Sequence, residues 1–281
     1  MKLSQALRDL RASLVRVAGE CSLPESERIA TFLLGISRSE LYLCGDTELS
    51  PGLLRSIADV VNRRLTGEPL PYILGSAYFF DQEIAVTRDV LIPRPDTETL
   101  IEAVLAGERP EPLRFLDFGT GSGCITAVLA GRNRRWRAVA LDASLPALRI
   151  ARRNCGGGVG FICGRGTAAI RESGFDFIVA NPPYIPTPVI PTLDRSVRDF
   201  EPAIALDGGA DGLAFYRCLA DAAGTLLKPG GRIYLEIGYD QGEAVAGILT
   251  ARGGENIRIV KDLGGRDRVV RGKLPLVRQA C

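Results

Sequence analysis

The chain has 281 residues, of which 46% are hydrophobic and 24% charged, a composition that fits one large or two modest soluble domains with a buried core. Thirty-five basic residues (31 Arg, 4 Lys) stand against 33 acidic ones, and the resulting net charge of +2 is too small an excess for a surface that coats nucleic acid. There is no histidine, which excludes Ser-His-Asp and Cys-His nucleophile systems, histidine bases and histidine-containing zinc sites.

The amino-terminal segment carries Arg8, Asp9 and Arg11 where a signal peptide is continuously apolar. No apolar run approaches the roughly 20 residues of a membrane span, so the expected location is the cytoplasm. Leu3, Leu7, Leu10, Leu14 and Val17 recur at helical spacing. Pro24 opens a second helix expected to turn Ile29, Phe32, Leu33 and Leu34 inward. Ser37 and Glu40 form a capping-box pattern before Leu41. Ser50-Pro51 is an N-cap followed by proline at the first helical position, and Gly67 ends that helix. These elements predict a helical bundle over residues 1–75. Pro69, Pro71 and Gly75 punctuate the chain after it.

Two β-like runs follow, Ala77–Phe80 and Glu83–Thr87, joined by Asp81-Gln82. They predict a hairpin linker over 76–95. A helix is expected from about Asp96. From residue 114 strands alternate with helix-sized segments. The strands are expected at Arg114–Phe118, Ala138–Leu141, Val159–Cys163, Phe175–Ala180 and Arg232–Ile237, with two more near Asn256–Lys261 and Arg268–Arg271. Several are continuous apolar runs, as strands buried on both faces of a parallel sheet are. The expectation for 96–281 is an α/β, Rossmann-like domain on a seven-stranded, mostly parallel sheet.

The chemistry-bearing residues fall at strand ends. The first strand runs into Gly119-Thr120-Gly121-Ser122-Gly123 and then an apolar helix from Cys124. Glycines at such a turn let the backbone approach a ligand closely. Asp142 ends the second strand, where an acid can bind the hydroxyls of a ribose. The pattern is GxGxG and lacks the third glycine of a dinucleotide fingerprint, which suits a nucleoside cofactor without pyrophosphate. Asn181-Pro182-Pro183-Tyr184 follows the fourth strand. The Asn181 side-chain oxygen and the Pro182 carbonyl are two acceptors able to hold both N–H bonds of a planar NH2 group, and Tyr184 offers a flat face for stacking. Alignment of that nitrogen toward a methyl donor then carries the catalysis.

Together, GTGSG, the acid Asp142 and NPPY resemble the class I S-adenosylmethionine-dependent methyltransferases that act on amide or exocyclic nitrogens. GEPLPYILG, AYFFDQEIAVTRDVLIPRPDTE, FEPAIALDGGADGLAFYR, LKPGGRIYLEIGYDQGEAV and DLGGRDRVV resemble the HemK/PrmC family over essentially the whole chain. That resemblance implies N5-methylation of the glutamine in the Gly-Gly-Gln motif of peptide chain release factors. It implies cofactor contacts from Gly119, Thr120, Gly121, Ser122, Gly123, Asp142 and Asn181. It implies catalytic roles for Asn181, Pro182 and Tyr184, and substrate contacts from these together with Pro183 and Arg94. Arg94 and Thr97 fall in the family segment that closes over the site. Where the family carries an acid and then an apolar residue beside the adenine, this chain has Arg165 and Gly166, so backbone at Gly166 is expected to stand in for side chains. The helical domain is expected to recognise the substrate. The partners implied are release factors, with no membrane and no direct nucleic acid, and the chain is expected to be a monomer.

Other residues carry weaker readings. The seven cysteines form no CxxC pair, and reduced thiols rather than disulfides or a metal centre are expected; Cys281 is read as terminal and mobile. Arg132, Arg134, Arg135 and Arg137 flank Trp136 in a basic run read as a solvated surface rather than an RNA contact. Glu201 and Asp207 are read as ordering the loop after NPPY, and Glu236 as bracing the site from behind. Two alternatives remain at this stage: a nucleic-acid amino-methyltransferase, which on DNA would need base flipping, and a cofactor-binding protein without activity.

Overall fold

In the computed structural model, which describes residues 1–274, the leucines of the first segment line one face of α1 (Leu3–Ala18). They pack against α2 (Ser22–Leu34), α3 (Arg38–Leu43), α4 (Pro51–Leu65) and α5 (Leu70–Leu74). Two apolar clusters result, one of Leu10, Leu14, Ile29, Val60, Leu70 and Leu74, the other of Leu3, Ala6, Ala30, Leu41 and Leu49. The Ser37 hydroxyl caps the Glu40 N–H while the Glu40 carboxylate accepts from the Ser37 N–H. Ser50 caps α4 at Leu53 N. Two expectations fail here. Phe32 is 42% exposed, because two positions after inward-facing Ala30 a helix has turned to its opposite face. The proline-rich stretch is not merely a break: it contains α5, whose Pro71 sits in the first turn, where its missing N–H costs nothing. The chain divides into two compact units, Met1–Ser76 with Asp194–Phe200, and Ala77–Leu193 with the residues from Glu201 on.

A hairpin of β1 (Ser76–Phe79) and β2 (Gln82–Ala85) follows α5. Its turn is Phe80-Asp81, one residue earlier than expected, with φ of +45° and +72°, the signs a two-residue hairpin turn requires. The unfavourable backbone at Phe80 is held from outside. Its N–H donates to Glu98 Oε1 at 3.1 Å, and Arg132 lies over its ring while pairing with Asp81. One arginine of the basic run is therefore committed to the hairpin. Trp136 is buried, edge-on to Phe115 and Phe177, and so is not an RNA-facing aromatic.

Then follow α6 (Asp96–Gly107), β3 (Arg114–Phe118), α7 (Cys124–Arg132), β4 (Arg137–Asp142), α8 (Leu145–Cys155), β5 (Val159–Cys163), β6 (Phe175–Ala180), α9 (Ala214–Leu226), β7 (Leu227–Glu236), α10 (Gly242–Ala251), β8 (Glu255–Lys261) and β9 (Asp267–Lys273). The seven strands β3–β9 form one sheet in the order β5-β4-β3-β6-β7-β9-β8. The first five are parallel, and β9 runs antiparallel between β7 and β8. β7 starts earlier than expected because Leu227 pairs with Phe175 before a bulge, and regular pairing resumes at Arg232. The core holds Phe115 stacked on Phe177 with centroids 5.0 Å apart, and on the sheet a cluster that includes Leu116, Ile178, Tyr216, Leu219 and Leu235. Among the described residues no helix is long and apolar enough to cross a membrane. Cys281 lies outside the described residues.

Gly123 shows how tightly α7 meets α8. Its φ is +77°, and a Cβ there would lie 2.8 Å from Cys155 Sγ and 2.9 Å from Ala151 Cα. Gly123→Ala is expected to cost about 2–4 kcal/mol, combining a left-handed backbone with overpacking. Gly131→Ala, where nothing lies within 4 Å, should be neutral or slightly stabilising. Urea midpoints of the two variants compare them directly, and equal midpoints would refute the packing role.

Candidate active site

β3 lies between β4 and β6, so Phe118, Leu141 and Ala180 stand side by side at the carboxyl ends of their strands. An open parallel sheet binds ligands at this edge, where the strand order reverses. The turn after β3 is stitched to β4: the Gly119 and Thr120 N–H groups both donate to the Leu141 carbonyl, at 2.8 and 2.9 Å. Gly121 N donates to Asp142 Oδ2 and Ser144 N to Asp142 Oδ1, each at 2.8 Å. Burial raises the Asp142 carboxyl and these backbone donors oppose the rise. Gly119 and Gly121 have φ of +73° and +55°, and a Cβ on either would meet no protein atom closer than 4.0 Å. Both border an open cleft of ≈ 920 Å³.

Asp117 lies under this turn and is fully buried. Its Oδ2 accepts from the hydroxyls of Thr120 and Thr126, both at 2.7 Å, while Oδ1 has no partner. Burial pushes its carboxyl up to about 6. The sequence reading passed over this residue, although an acid inside the apolar run RFLDF is a signal: a buried acid must have partners. Asn154 of α8 was missed too. Its amide donates to Ser122 O and Ala85 O and accepts from Ala85 N, at 2.8–2.9 Å, so it joins the glycine turn to the hairpin.

Beyond β6, Asn181 Nδ2 donates to Thr97 Oγ1 at 3.1 Å. Asn181 and Pro183 line the cleft, but Pro182 and Tyr184 do not. Pro182 is buried. The Tyr184 ring, expected as a stacking platform, packs against the sheet's core cluster. Desolvation pushes its phenol up to about 12. Its carbonyl accepts from Gln241 Nε2 at 3.0 Å, and Gln241 Oε1 accepts from Gly238 N at 2.9 Å. No local sequence signal marks Gln241. The loop is paired along its length, Ile185 N with Leu206 O and Gly208 N with Ile185 O.

Arg94 lines the cleft and is paired at 2.6 Å with Glu201, whose side chain is 2% exposed. Desolvation raises the Glu201 carboxyl and Arg94 opposes that rise. Asp207 accepts from Thr187 Oγ1 and from Gly209 N. Both acids therefore fasten the loop after NPPY. The remaining wall is apolar, with Ile92, Pro202, Ile204 and Phe215. Thr120, Ser122, Asp142, Gly164 and Gly166 also line it, whereas Arg165 and Gly123 do not. Gly123 is thus a packing residue rather than part of the cleft wall. Cys124 reaches the wall, but burial pushes its thiol up to about 12, which leaves it neutral and inert.

A seven-stranded sheet of this order, with a glycine turn, a strand-end acid and the Asn181 and Pro183 of NPPY around one cleft, is the architecture of the Rossmann-like methyltransferases. A methyltransferase from Pyrococcus furiosus shares the fold, with a TM-score of 0.53 and 17% identity over 77% of this chain and 98% of that one. Residues 5–75 match the PrmC N-terminal domain and residues 96–188 the methyltransferase small domain. The release factor glutamine methyltransferase of Caulobacter vibrioides is 41% identical over 86% of each chain. That of Moorella thermoacetica is 40% identical over 95% of this chain and 97% of its own. The chain belongs to the release factor glutamine methyltransferase family.

The raised carboxyl of Asp117 has a measurable sign. Its folded value of about 6 lies above the ordinary 3.8, so the folded protein binds this proton more tightly than the unfolded chain. The stability this contributes is present at low pH and is lost as pH rises through 6. The unfolding free energy of the wild type minus that of Asp117→Asn should therefore fall between pH 5 and pH 7. A flat difference in urea titrations across that range would refute it.

Proposed function

We propose that this chain transfers a methyl group from S-adenosylmethionine to the side-chain nitrogen of the glutamine in the Gly-Gly-Gln motif of release factors. The observation that carries this reading is Asn181. It lines the cleft with its amide nitrogen engaged by Thr97, which leaves its oxygen as the end available to accept an N–H from a substrate amide. The family relationship supports the same substrate.

The residues present fit the cofactor. Two glycines without Cβ atoms open onto the cleft beside the strand-end acid Asp142, a cradle for an amino-acid tail and a ribose. Gly119, Thr120, Gly121 and Ser122 would hold the former, Asp142 the latter, and the backbone at Gly164 and Gly166 would face the base. When bound, S-adenosylmethionine supplies a methyl group on a positively charged sulfur. The chain supplies alignment: Asn181 Oδ1 and the Pro182 carbonyl hold the two N–H bonds of the glutamine amide, and Pro183 borders them. Apolar walls exclude water, which strengthens those hydrogen bonds. Tyr184 serves this geometry by anchoring the loop through its carbonyl, and Arg94 by fastening the opposite wall to Glu201. On this reading the helical unit recognises the remainder of the release factor, and the chain works as a monomer in the cytoplasm.

The test is peptide mass spectrometry of an unmodified release factor incubated with the chain and S-adenosylmethionine. One added methyl on the Gly-Gly-Gln glutamine is expected. Asn181→Ala should lower turnover by roughly 100-fold or more through loss of alignment. Asp142→Ala should weaken cofactor binding by about 10-fold, as loss of a charged hydrogen bond does. Binding of the cofactor without any methyl on that glutamine would overturn the reading.

A further inference from the structure

A second cavity, of ≈ 770 Å³, shares no residue with the cleft. Its walls are the carboxyl end of α6, at Gly107, and one face of β7, β9 and β8. Arg232 opens the regular pairing of β7 with β6, so the cavity lies toward the amino ends of the parallel strands. The cleft is at their carboxyl ends. α6 joins the two regions: Thr97 in its first turn lines the cleft, and Gly107 at its end lines the cavity, about 15 Å along a helix axis.

The cavity lining holds Arg232, Arg258, Arg271 and Lys273, and among the described residues it holds no carboxylate. Strand register sets these cations against one another. Arg232 stands directly opposite Lys273, and Arg258 directly opposite Arg271. Like charges in facing positions of an antiparallel pair weaken the sheet, so pairing does not account for them. The available negative charge answers only part of the set. Buried Glu108 pairs with Arg232 and accepts from Tyr234 Oη at 2.8 Å. Glu255 faces Lys273 from the outer strand. The end of α6 adds about half a negative charge, and it lies close to Arg271, whose Nη1 is 3.0 Å from where a Cβ on Gly107 would stand. Arg258 is left facing Arg271 with no acid between them. Arg232 Nε is also buried without a partner. Asn256 adds an amide to the wall, carried there at φ +53° on the bulge between Glu255 and Arg258.

We propose that this cavity is a binding site for a small anion carrying two or more linked phosphates. Guanidinium forks match phosphate oxygens with paired hydrogen bonds, and three arginines converge here from three neighbouring strands. Adjacent strands are about 4.8 Å apart, so the cations spread over roughly 10 Å, wider than a single phosphate and suited to a linked pair. The bound anion relieves the repulsion that the register builds in. The site stands apart from the reading of the cleft and holds whatever the substrate there is.

The experiment titrates sodium pyrophosphate into the full chain at fixed ionic strength, by calorimetry and by thermal unfolding, with sodium sulfate as the control anion. Pyrophosphate should raise Tm and bind at least about 10-fold more tightly than sulfate, as extra charge-assisted hydrogen bonds require. Arg258→Gln and Arg271→Gln should each weaken pyrophosphate by about 10-fold while leaving the Tm of the anion-free chain unchanged or higher, because each removes a like-charge pair. Arg55→Gln, on α4, should leave the affinity unchanged. Equal binding of pyrophosphate and sulfate, or wild-type affinity in both Arg258→Gln and Arg271→Gln, would overturn the proposal. So would competition between pyrophosphate and S-adenosylmethionine, which would put the anion in the cleft. If Arg271→Gln does not fold, Arg258→Gln and Lys273→Gln decide the matter. Adenosine triphosphate distinguishes the sources of the phosphates. Tighter binding than pyrophosphate, lost in Arg258→Gln, identifies a nucleotide, and equal binding identifies the phosphate chain alone. A short RNA that binds these residues more tightly than either would sink the small-anion reading.

Discussion

The parallel pairing of β3 with β4 on one side and β6 on the other is the constraint on which the site depends. Phe118 pairs with Leu141 and with Ala180, so the glycine turn, Asp142 and Asn181 leave the sheet together. Parallel strands must be joined by crossovers, and the crossovers carry α7 and α8 onto the sheet, leaving its carboxyl edge open. Because the strand order reverses at β3, the connections from β3 and β6 depart to opposite faces and a crevice opens between them. The cleft is thus a consequence of strand order, and side chains only refine it.

Polar groups at the base of that crevice are expensive, and the chain places three of them there. Asp117, Glu201 and Glu236 are each buried, each raised by desolvation, and each left with one oxygen lacking a partner. Well-packed apolar residues would serve stability better. Two of them instead hold something at the cleft: Asp117 the glycine turn through Thr120 and Glu201 the wall through Arg94. Strained polar environments of this kind gather where a protein must position chemistry.

The wall after β5 shows what happens when side chains are withdrawn. Gly164 and Gly166 face the cleft while Arg165 is exposed. Gly164 N still donates to Asp142 O at 2.9 Å, so the backbone there is fixed by the sheet although it offers no side chain. Phe215, tilted against Phe118 with centroids 6.3 Å apart, supplies the apolar surface on α9 instead.

The sequence by itself determined the elements and the identity of the chemistry. Largely apolar runs such as Phe175–Ala180 fit strands buried on both faces, and Ser37, Ser50 and Pro51 mark helix starts through hydrogen bonds local to one turn. GTGSG, Asp142 and NPPY are legible because short-range backbone geometry dictates their residue types. Tertiary structure alone decided which side chains meet. Arg94 and Glu201 are 107 positions apart, and Asn181 and Thr97 are 84 apart, and no local pattern encodes such contacts. It decided that Gly123 serves the packing of α7 on α8 rather than the cleft, that Tyr184 turns to the core, and that Trp136 is an interior residue beside an exposed basic run. It also moved the hairpin turn to Phe80-Asp81, because Glu98 and Arg132 stabilise a backbone that Phe80 would not adopt unaided. The physical reason is the same in each case. Local preferences of a fraction of a kcal/mol to ~1 kcal/mol choose helix, strand or turn, whereas the larger cost of burying a polar group without a partner is settled only when distant segments come together.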